Sequence, residues 1–153
     1  MKKYTFMALL VVSSFSVFAQ TKETKDDGQE LIDRFFDLFK GKGYEYALKY
    51  AFETNKWINS EGNEMLNISI KLGKNITALG EYIGFEEIKS KSVGSRFRIV
   101  SYFVYYQREP LRFTFELYKN NNGWEIWDFQ FDSNYDTELE ESMRLSTRVE
   151  GFR

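Results

Sequence analysis

Three consecutive segments between residues 96 and 132 alternate apolar and polar side chains with the period of a β-strand. They cover residues 96–107, 111–118 and 124–131, and the residues between them are typical of tight turns. Side chains point alternately to the two faces of a sheet, so the turns decide which residues share a face. The sequence therefore predicts an antiparallel meander, and its turns indicate where a pocket or an interface would lie.

The last turn contains Asn121, Asn122 and Gly123. A three-residue hairpin loop would put glycine at its left-handed position and pair Asn120 with Trp124. One face then carries the apolar pairs Phe113/Phe131, Phe115/Phe129 and Leu117/Trp127, and the other carries Arg112/Asp132, Thr114/Gln130 and Glu116/Asp128. A two-residue loop would mix polar and apolar residues on each face, so the three-residue loop is favoured.

Arg108 and Glu109, before the single proline Pro110, are the expected two-residue turn between the first two segments. This turn completes an apolar face, called here the inner face, which places Val100, Tyr102, Val104 and Tyr106 beside Leu117, Phe115, Phe113 and Leu111. The opposite, outer face is mixed. Helices are expected to cover the inner face because their apolar stripes need a partner surface.

The residues before the meander have helical periodicity. The spacing of Asp27 and Glu30 matches a capping box, and it predicts a first helix to about Lys40. A second helix follows over 44–52, and a third begins at a Ser60 cap and frays from Gly73. A weaker strand is expected over 83–93. The prediction is an α+β domain, with N-terminal helices packed on a curved antiparallel sheet of about four strands.

The chain ends predict export. Lys2 and Lys3, an apolar segment and a small-residue pattern ending at Ala19 fit a signal peptide over 1–19, although a membrane anchor is the alternative. A polar leader over 20–27, one domain over 28–134 and a tail over 135–153 would follow. The tail has capping-box spacing at 137–140, so a short helix and a loose extension both remain open. The short leader resembles bacterial ones, which indicates a periplasmic or secreted protein without stable membrane insertion.

Composition narrows the function. Loss of Lys2 and Lys3 lowers 21 basic residues to 19 against 23 acidic ones, a net charge of −4, which gives no electrostatic case for binding nucleic acid. The chain has no cysteine and no histidine. The usual neutral-pH acid or base and the commonest metal ligand are therefore missing, and no metal site or cofactor is predicted. An enzyme would have to use Asp, Glu, Tyr, Lys or Arg.

The carboxylates Glu116 and Asp128 are the only predicted constellation with catalytic potential. Adjacent carboxylates resist joint ionisation, as an acid and base pair requires, and Tyr102 would complete the set. The alternative is a solvated pair on a sheet face, eased by Arg98 or Arg112. A shorter last hairpin loop would instead turn Asp128 inward and favour catalysis.

Aromatic residues supply two further candidate sites. A ligand pocket could be lined by Trp57, Tyr102, Tyr106, Phe113, Phe115 and Trp127, although such residues more often form a filled core. An outer-face apolar patch of this extent usually marks an interface, and it would comprise Ile99, Phe103, Tyr105, Tyr118 and Ile126. A homodimer, another partner and coverage by the C-terminal tail are the candidate occupants.

The segments 79–85, 110–113, 117–119, 123–124 and 129–132 resemble small exported bacterial members of the nuclear transport factor-like superfamily, the cystatin-like α+β cone. The order of three helices and a long meander is similar across 29–132. The resemblance implies a cone that can hold a small apolar molecule and a dimer through the outer sheet face. Enzymes of that superfamily place a base, commonly Asp or His, inside the cone, whereas here Glu116 and Asp128 are predicted outside.

These observations favour an exported noncatalytic domain that binds a protein partner or a small apolar ligand, with dimerisation on the outer sheet face. The alternative is a small isomerase-like or cyclase-like enzyme with a carboxylate base in the cone. Fold resemblance alone is a weak reason to assign catalysis.

Overall fold

The fold is that of a computed structural model, which describes residues 27–58, 62–137, 139 and 140. Three helices, α1 (Gln29–Lys42), α2 (Tyr44–Glu53) and α3 (Asn63–Leu79), precede four strands, β1 (Tyr82–Val93), β2 (Phe97–Tyr106), β3 (Leu111–Asn120) and β4 (Gly123–Asp132). The strands form one antiparallel sheet in the order β1-β2-β3-β4. The predicted α+β fold, with N-terminal helices on a four-stranded antiparallel sheet, is confirmed.

Helix α1 begins differently from the prediction. Gly28, not Asp27, is its N-cap and has a left-handed φ of 78°. Asp27 accepts a hydrogen bond from the Gln29 backbone N–H at 3.3 Å, so the capping box is wrong. The left-handed φ favours glycine, and a Cβ at residue 28 would also lie 3.0 Å from Leu117 Cδ1 and 3.2 Å from Trp124. The start of α1 therefore lies directly against the sheet.

Helix α3 does not fray at Gly73 but continues to Leu79. A Cβ at Gly73 would collide with the Tyr44 hydroxyl at the start of α2. This glycine lets two helices approach closely and does not end one. Gly62 is the N-cap of α3, and the predicted cap Ser60 lies outside the described residues.

The hairpin between β3 and β4 has a two-residue loop, so Asn120 pairs with Gly123 and not with Trp124. One extra residue, Trp127, then bulges out between the pairs Leu117/Ile126 and Glu116/Asp128. The bulge restores the predicted register from Asp128 onward. Its physical reason lies outside the hairpin: the Ile126 N–H donates to Thr54 Oγ1 at the end of α2, at 2.9 Å.

The pairing of β2 with β3 is shifted by two residues from the prediction, so Val104 and not Tyr106 pairs with Leu111. The end of β2 stays with β1 and the end of α3, because the Gln107 N–H donates to the Glu81 carbonyl and the Arg108 N–H to the Leu79 carbonyl. The turn proposed at Arg108 and Glu109 is therefore wrong. An even shift keeps every side chain on its predicted face.

The core lies between the helices and the inner sheet face. Phe35 of α1 is fully buried, and its ring centroid lies 5.0 Å from that of Phe115 and 5.4 Å from that of Phe129. Edge-to-face and tilted aromatic contacts of this kind stabilise a core beyond the area that they bury. These contacts confirm the predicted packing of the helices on the inner face.

The chain ends are described only in part. Residues 136, 137, 139 and 140 are helical, and the Leu139 N–H donates to the Tyr135 carbonyl at 3.0 Å. The predicted signal peptide over 1–19, most of the leader over 20–27 and the rest of the tail lie outside the described residues. No described helix combines the length and the apolar character needed to cross a membrane.

Candidate functional site

Four of the six residues predicted to line a ligand pocket are core residues. Tyr102, Tyr106, Phe113 and Phe115 are all at least 96% buried. Helix α1 fills the space above them, because Phe36 contacts Tyr102 at 5.2 Å between ring centroids and Phe35 contacts Phe113 at 6.4 Å. At these positions the inner face carries packed side chains and not a cavity.

The other two predicted pocket residues, Trp57 and Trp127, are 75% and 49% exposed. Trp57 lies after α2, where the Lys56 ammonium stands 5.3 Å from its ring centroid. Trp127 is the bulge residue of β4 and does not pair with Leu117 as predicted. The structure therefore does not bring either tryptophan into the inner face.

The two inner-face tyrosines of β2 differ in how their hydroxyls are satisfied. Gln29 Nε2 donates to the Tyr102 hydroxyl at 3.0 Å. The Tyr106 hydroxyl is buried and has no hydrogen-bond partner among the described residues. Burial raises the pKa of both phenols, and the Gln29 contact offsets part of that rise at Tyr102. Both tyrosines are therefore neutral at ordinary pH.

Glu116 and Asp128 form a direct cross-strand pair on the outer face, and Asp128 accepts a hydrogen bond from Gln130 Nε2 at 2.6 Å. The shorter loop does not turn Asp128 inward, because the bulge at Trp127 compensates for it. Tyr102 lies on the opposite face of the sheet. The three residues of the catalytic alternative are therefore not brought together.

A small cavity of about 90 Å³ lies between α2, α3 and β4, with Glu64 and Asp128 among its lining residues. A water molecule occupies about 30 Å³ of liquid, and ligand pockets span about 300–1,000 Å³. The cavity therefore has room for a few waters, but it is too small for the substrate of an isomerase or cyclase.

Arg98 does not ease the carboxylate pair, because it lies on the inner face and is 5% exposed. Its guanidinium is 3.5 Å from the Asp27 carboxylate and 3.9 Å from that of Glu87. Arg112 instead forms a 3.0 Å ion pair with Asp132. The position of Arg98 was readable from the alternation of β2, since residues 98, 100 and 102 share a face.

Four of the five residues predicted for the outer-face interface lie on the outer face. Ile99, Phe103 and Tyr105 are half-buried and Tyr118 is 37% exposed, whereas Ile126 is 2% exposed and belongs to the core. Ile126 is inward because the two-residue loop and the bulge move it opposite Leu117. The same bulge puts Trp127 against Tyr118, with ring centroids 6.0 Å apart.

The outer face has two aromatic ends. At one end Tyr135 covers Phe103 at 4.9 Å between ring centroids, and the Tyr105 hydroxyl donates to Glu86 at 3.1 Å. The other end carries four residues, defined as the open aromatic cluster, whose aromatic rings contact no ring of any described residue outside the cluster: Phe97, Ile99, Tyr118 and Trp127. Sequence reasoning missed Phe97 and Trp127, although the period-2 pattern already placed Phe97 with Ile99.

Charge varies across the outer face in one cross-strand row. The row joins Lys91 on β1, Ile99 on β2, Glu116 on β3 and Asp128 on β4 by direct pairing. Within this row the β1 residue is basic and the β3 and β4 residues are acidic, with an apolar residue between them. This polarity, together with the open aromatic cluster, makes the outer face the candidate binding surface.

No group of three or more His, Cys, Asp or Glu side chains within the described residues could hold a metal ion.

Comparison with protein-family models, with curated proteins and with solved structures finds no match. Membership of the nuclear transport factor-like superfamily thus stays a prediction.

Proposed function

We propose that this protein is an exported, noncatalytic binding domain that self-associates through the outer face of its sheet. The observation that carries the proposal is the open aromatic cluster on a face that also separates its charges. Interface centres are enriched in aromatic residues that are surrounded by polar ones. The α helices cover the inner face, so the outer face is the sheet surface available to a partner.

One arrangement of two copies brings the opposite charges of the cross-strand row together. When two sheets pack face to face around an axis parallel to the strands, β1 of one copy lies over β4 of the other. That arrangement puts Lys91 over Asp128 twice and brings Phe97 over Tyr118. An axis perpendicular to the strands would put β1 over β1 and β4 over β4, so Lys91 and Asp128 would not meet. Packed sheets cross at about 30°, so these positions are neighbourhoods and not fixed contacts.

Light scattering after size-exclusion chromatography tests the apolar part of the surface. Tyr118→Asp buries a charge in the proposed interface, and we expect it to shift the protein toward the mass of a single chain. The matched control is Tyr46→Asp, because Tyr46 is 57% exposed on the helical layer. A wild-type protein with the mass of one chain at all micromolar concentrations would overturn the proposal.

Charge reversal tests the arrangement. Lys91→Glu and Asp128→Lys should each weaken association at low salt, and the double variant should restore it because the opposite charges meet again. Each exposed pair contributes about 0.2–1 kcal/mol, so reversal of two pairs should weaken the dimer by about tenfold. Lys74→Glu is the control, because Lys74 is exposed on α3 and lies away from the outer face. Failure of the double variant to restore association would contradict the arrangement.

The enzymatic alternative has less support, because Tyr102 lies on the opposite face from Glu116 and Asp128. A small apolar ligand on the inner face would have to displace packed aromatic rings. Binding of small molecules therefore has to be sought elsewhere on the protein.

A further inference from the structure

A cleft of about 310 Å³ opens at the end of the sheet, between the C-terminal half of α3 and the segments that follow β2 and β4. This volume lies at the lower end of the range of small-molecule sites, about 300–1,000 Å³. The lining residues are Lys71, Asn75, Ala78, Leu79, Arg108, Glu109, Leu111, Phe131, Asp132, Ser133 and Asn134. The cleft lies at the opposite end of the sheet from the open aromatic cluster.

The floor of the cleft is apolar. Leu79 and Leu111 are 5% and 4% exposed, and Phe131 is half-buried. These side chains belong to or pack against the core, so the floor is held in place by the fold. A hydrocarbon group or an aromatic ring placed there would be removed from water, which favours its binding.

Two cations stand at the rim. The Lys71 ammonium lies 5.7 Å from the ring centroid of Phe131, over the floor. The backbone N–H of Arg108 donates to the Leu79 carbonyl at 3.1 Å, which fixes the base of its side chain beside the cleft. Among the described residues neither cation has a carboxylate within ion-pair distance.

The acidic residues of the cleft do not cancel this charge. Asp132 is held by the Arg112 guanidinium at 3.0 Å and also accepts a hydrogen bond from the Asn134 N–H at 2.8 Å. Glu109 is the remaining carboxylate against two cations. We propose that the cleft binds a small organic carboxylate, with its charged group between Lys71 and Arg108 and its apolar body on the floor.

Phenylacetate is a suitable probe, because it joins one carboxylate to one ring. In a titration of ¹⁵N-labelled protein followed by NMR, we expect saturable shifts of the Leu79, Leu111 and Phe131 amides. Acetate, which lacks the ring, and 2-phenylethylammonium, which reverses the charge, should leave these amides nearly unchanged. Equal shifts with inorganic phosphate would show that the floor has no role and would overturn the proposal.

The double variant Lys71→Gln/Arg108→Gln should weaken phenylacetate binding by about tenfold or more, since each cation supplies a charge-assisted contact. Lys74→Gln, on α3 but not in the cleft, is the matched control. No saturable shift at millimolar phenylacetate, or equal binding by the double variant, would refute the site. Because the cleft residues lie away from the open aromatic cluster, the double variant should keep the wild-type oligomeric state, so failure here is distinct from failure of the dimer.

Discussion

Tyr106→Phe should stabilise the protein, which is an unusual expectation for a change at a buried position. The side chain is 4% exposed and its hydroxyl has no partner among the described residues. Burial of a polar group without a hydrogen bond costs about 1–3 kcal/mol. Removal of the hydroxyl keeps the ring in place, so we expect the free energy of unfolding to rise by about 1–2 kcal/mol.

Tyr102→Phe is the matched control. It lies on the same strand and face and is 3% exposed, but its hydroxyl accepts a hydrogen bond from Gln29 Nε2 at 3.0 Å. Loss of that bond should lower the free energy of unfolding by about 0.5–1.5 kcal/mol. The two substitutions remove the same atom from similar environments, so their effects should have opposite signs.

Urea unfolding followed by circular dichroism measures both effects. With an m-value of about 1–3 kcal/mol/M, the midpoint of Tyr106→Phe should rise by about 0.3–2 M, while the slope stays unchanged. A lower midpoint for Tyr106→Phe would refute the reasoning and would indicate that a buried water satisfies the hydroxyl. Equal shifts in the same direction for both variants would also refute it.

Three further predictions follow from the described contacts. Burial raises the pKa of Tyr106 in the folded protein above its ordinary value of 10.0, so the Tyr106 contribution to the free energy of unfolding should be constant below pH 10 and fall as pH rises beyond it. Urea midpoints above pH 10 should therefore fall less steeply in Tyr106→Phe than in the wild type. Arg98→Met should lower the free energy of unfolding by about 1–3 kcal/mol, because two carboxylates lose their buried partner; an unchanged urea midpoint would contradict this. Gly28→Ala should lower the free energy of unfolding by about 1–2 kcal/mol, because alanine rarely adopts the left-handed φ of this residue. Gly41→Ala is the control and should be neutral or stabilising, because a Cβ there would meet no atom within 4 Å. Thermal unfolding measures both effects.

The faces of the sheet were predictable because side-chain alternation has a period of two. The predicted pairing of β2 with β3 differs from the observed pairing by two residues, yet Val100, Tyr102 and Val104 still lie on the inner face. An even error in register moves side chains along a face and not across it. The filled inner face and the outer Glu116/Asp128 pair were accordingly anticipated.

The site was less predictable at the one place where a tertiary contact controls the strand. The hydrogen bond from the Ile126 N–H to Thr54 joins β4 to the end of α2. The two residues are far apart in sequence, so the residues of the hairpin turn do not predict this contact. It accompanies the bulge that exchanges Ile126 for Trp127 on the outer surface. The cleft cations Lys71 and Arg108 are likewise far apart in sequence, and only the packing of α3 on the sheet end brings them together.

The central claim, self-association through the outer face with β1 over β4, has a direct test in a mixed sample. The chain has no cysteine, so Val93→Cys, on the exposed outer side of β1, accepts a single nitroxide label. Labelled chains without ¹⁵N are mixed with ¹⁵N-labelled chains without nitroxide, so any broadening is between copies. The account predicts broadening of β4 amides around Trp127, whereas broadening confined to β1 amides, or none at all, would contradict it.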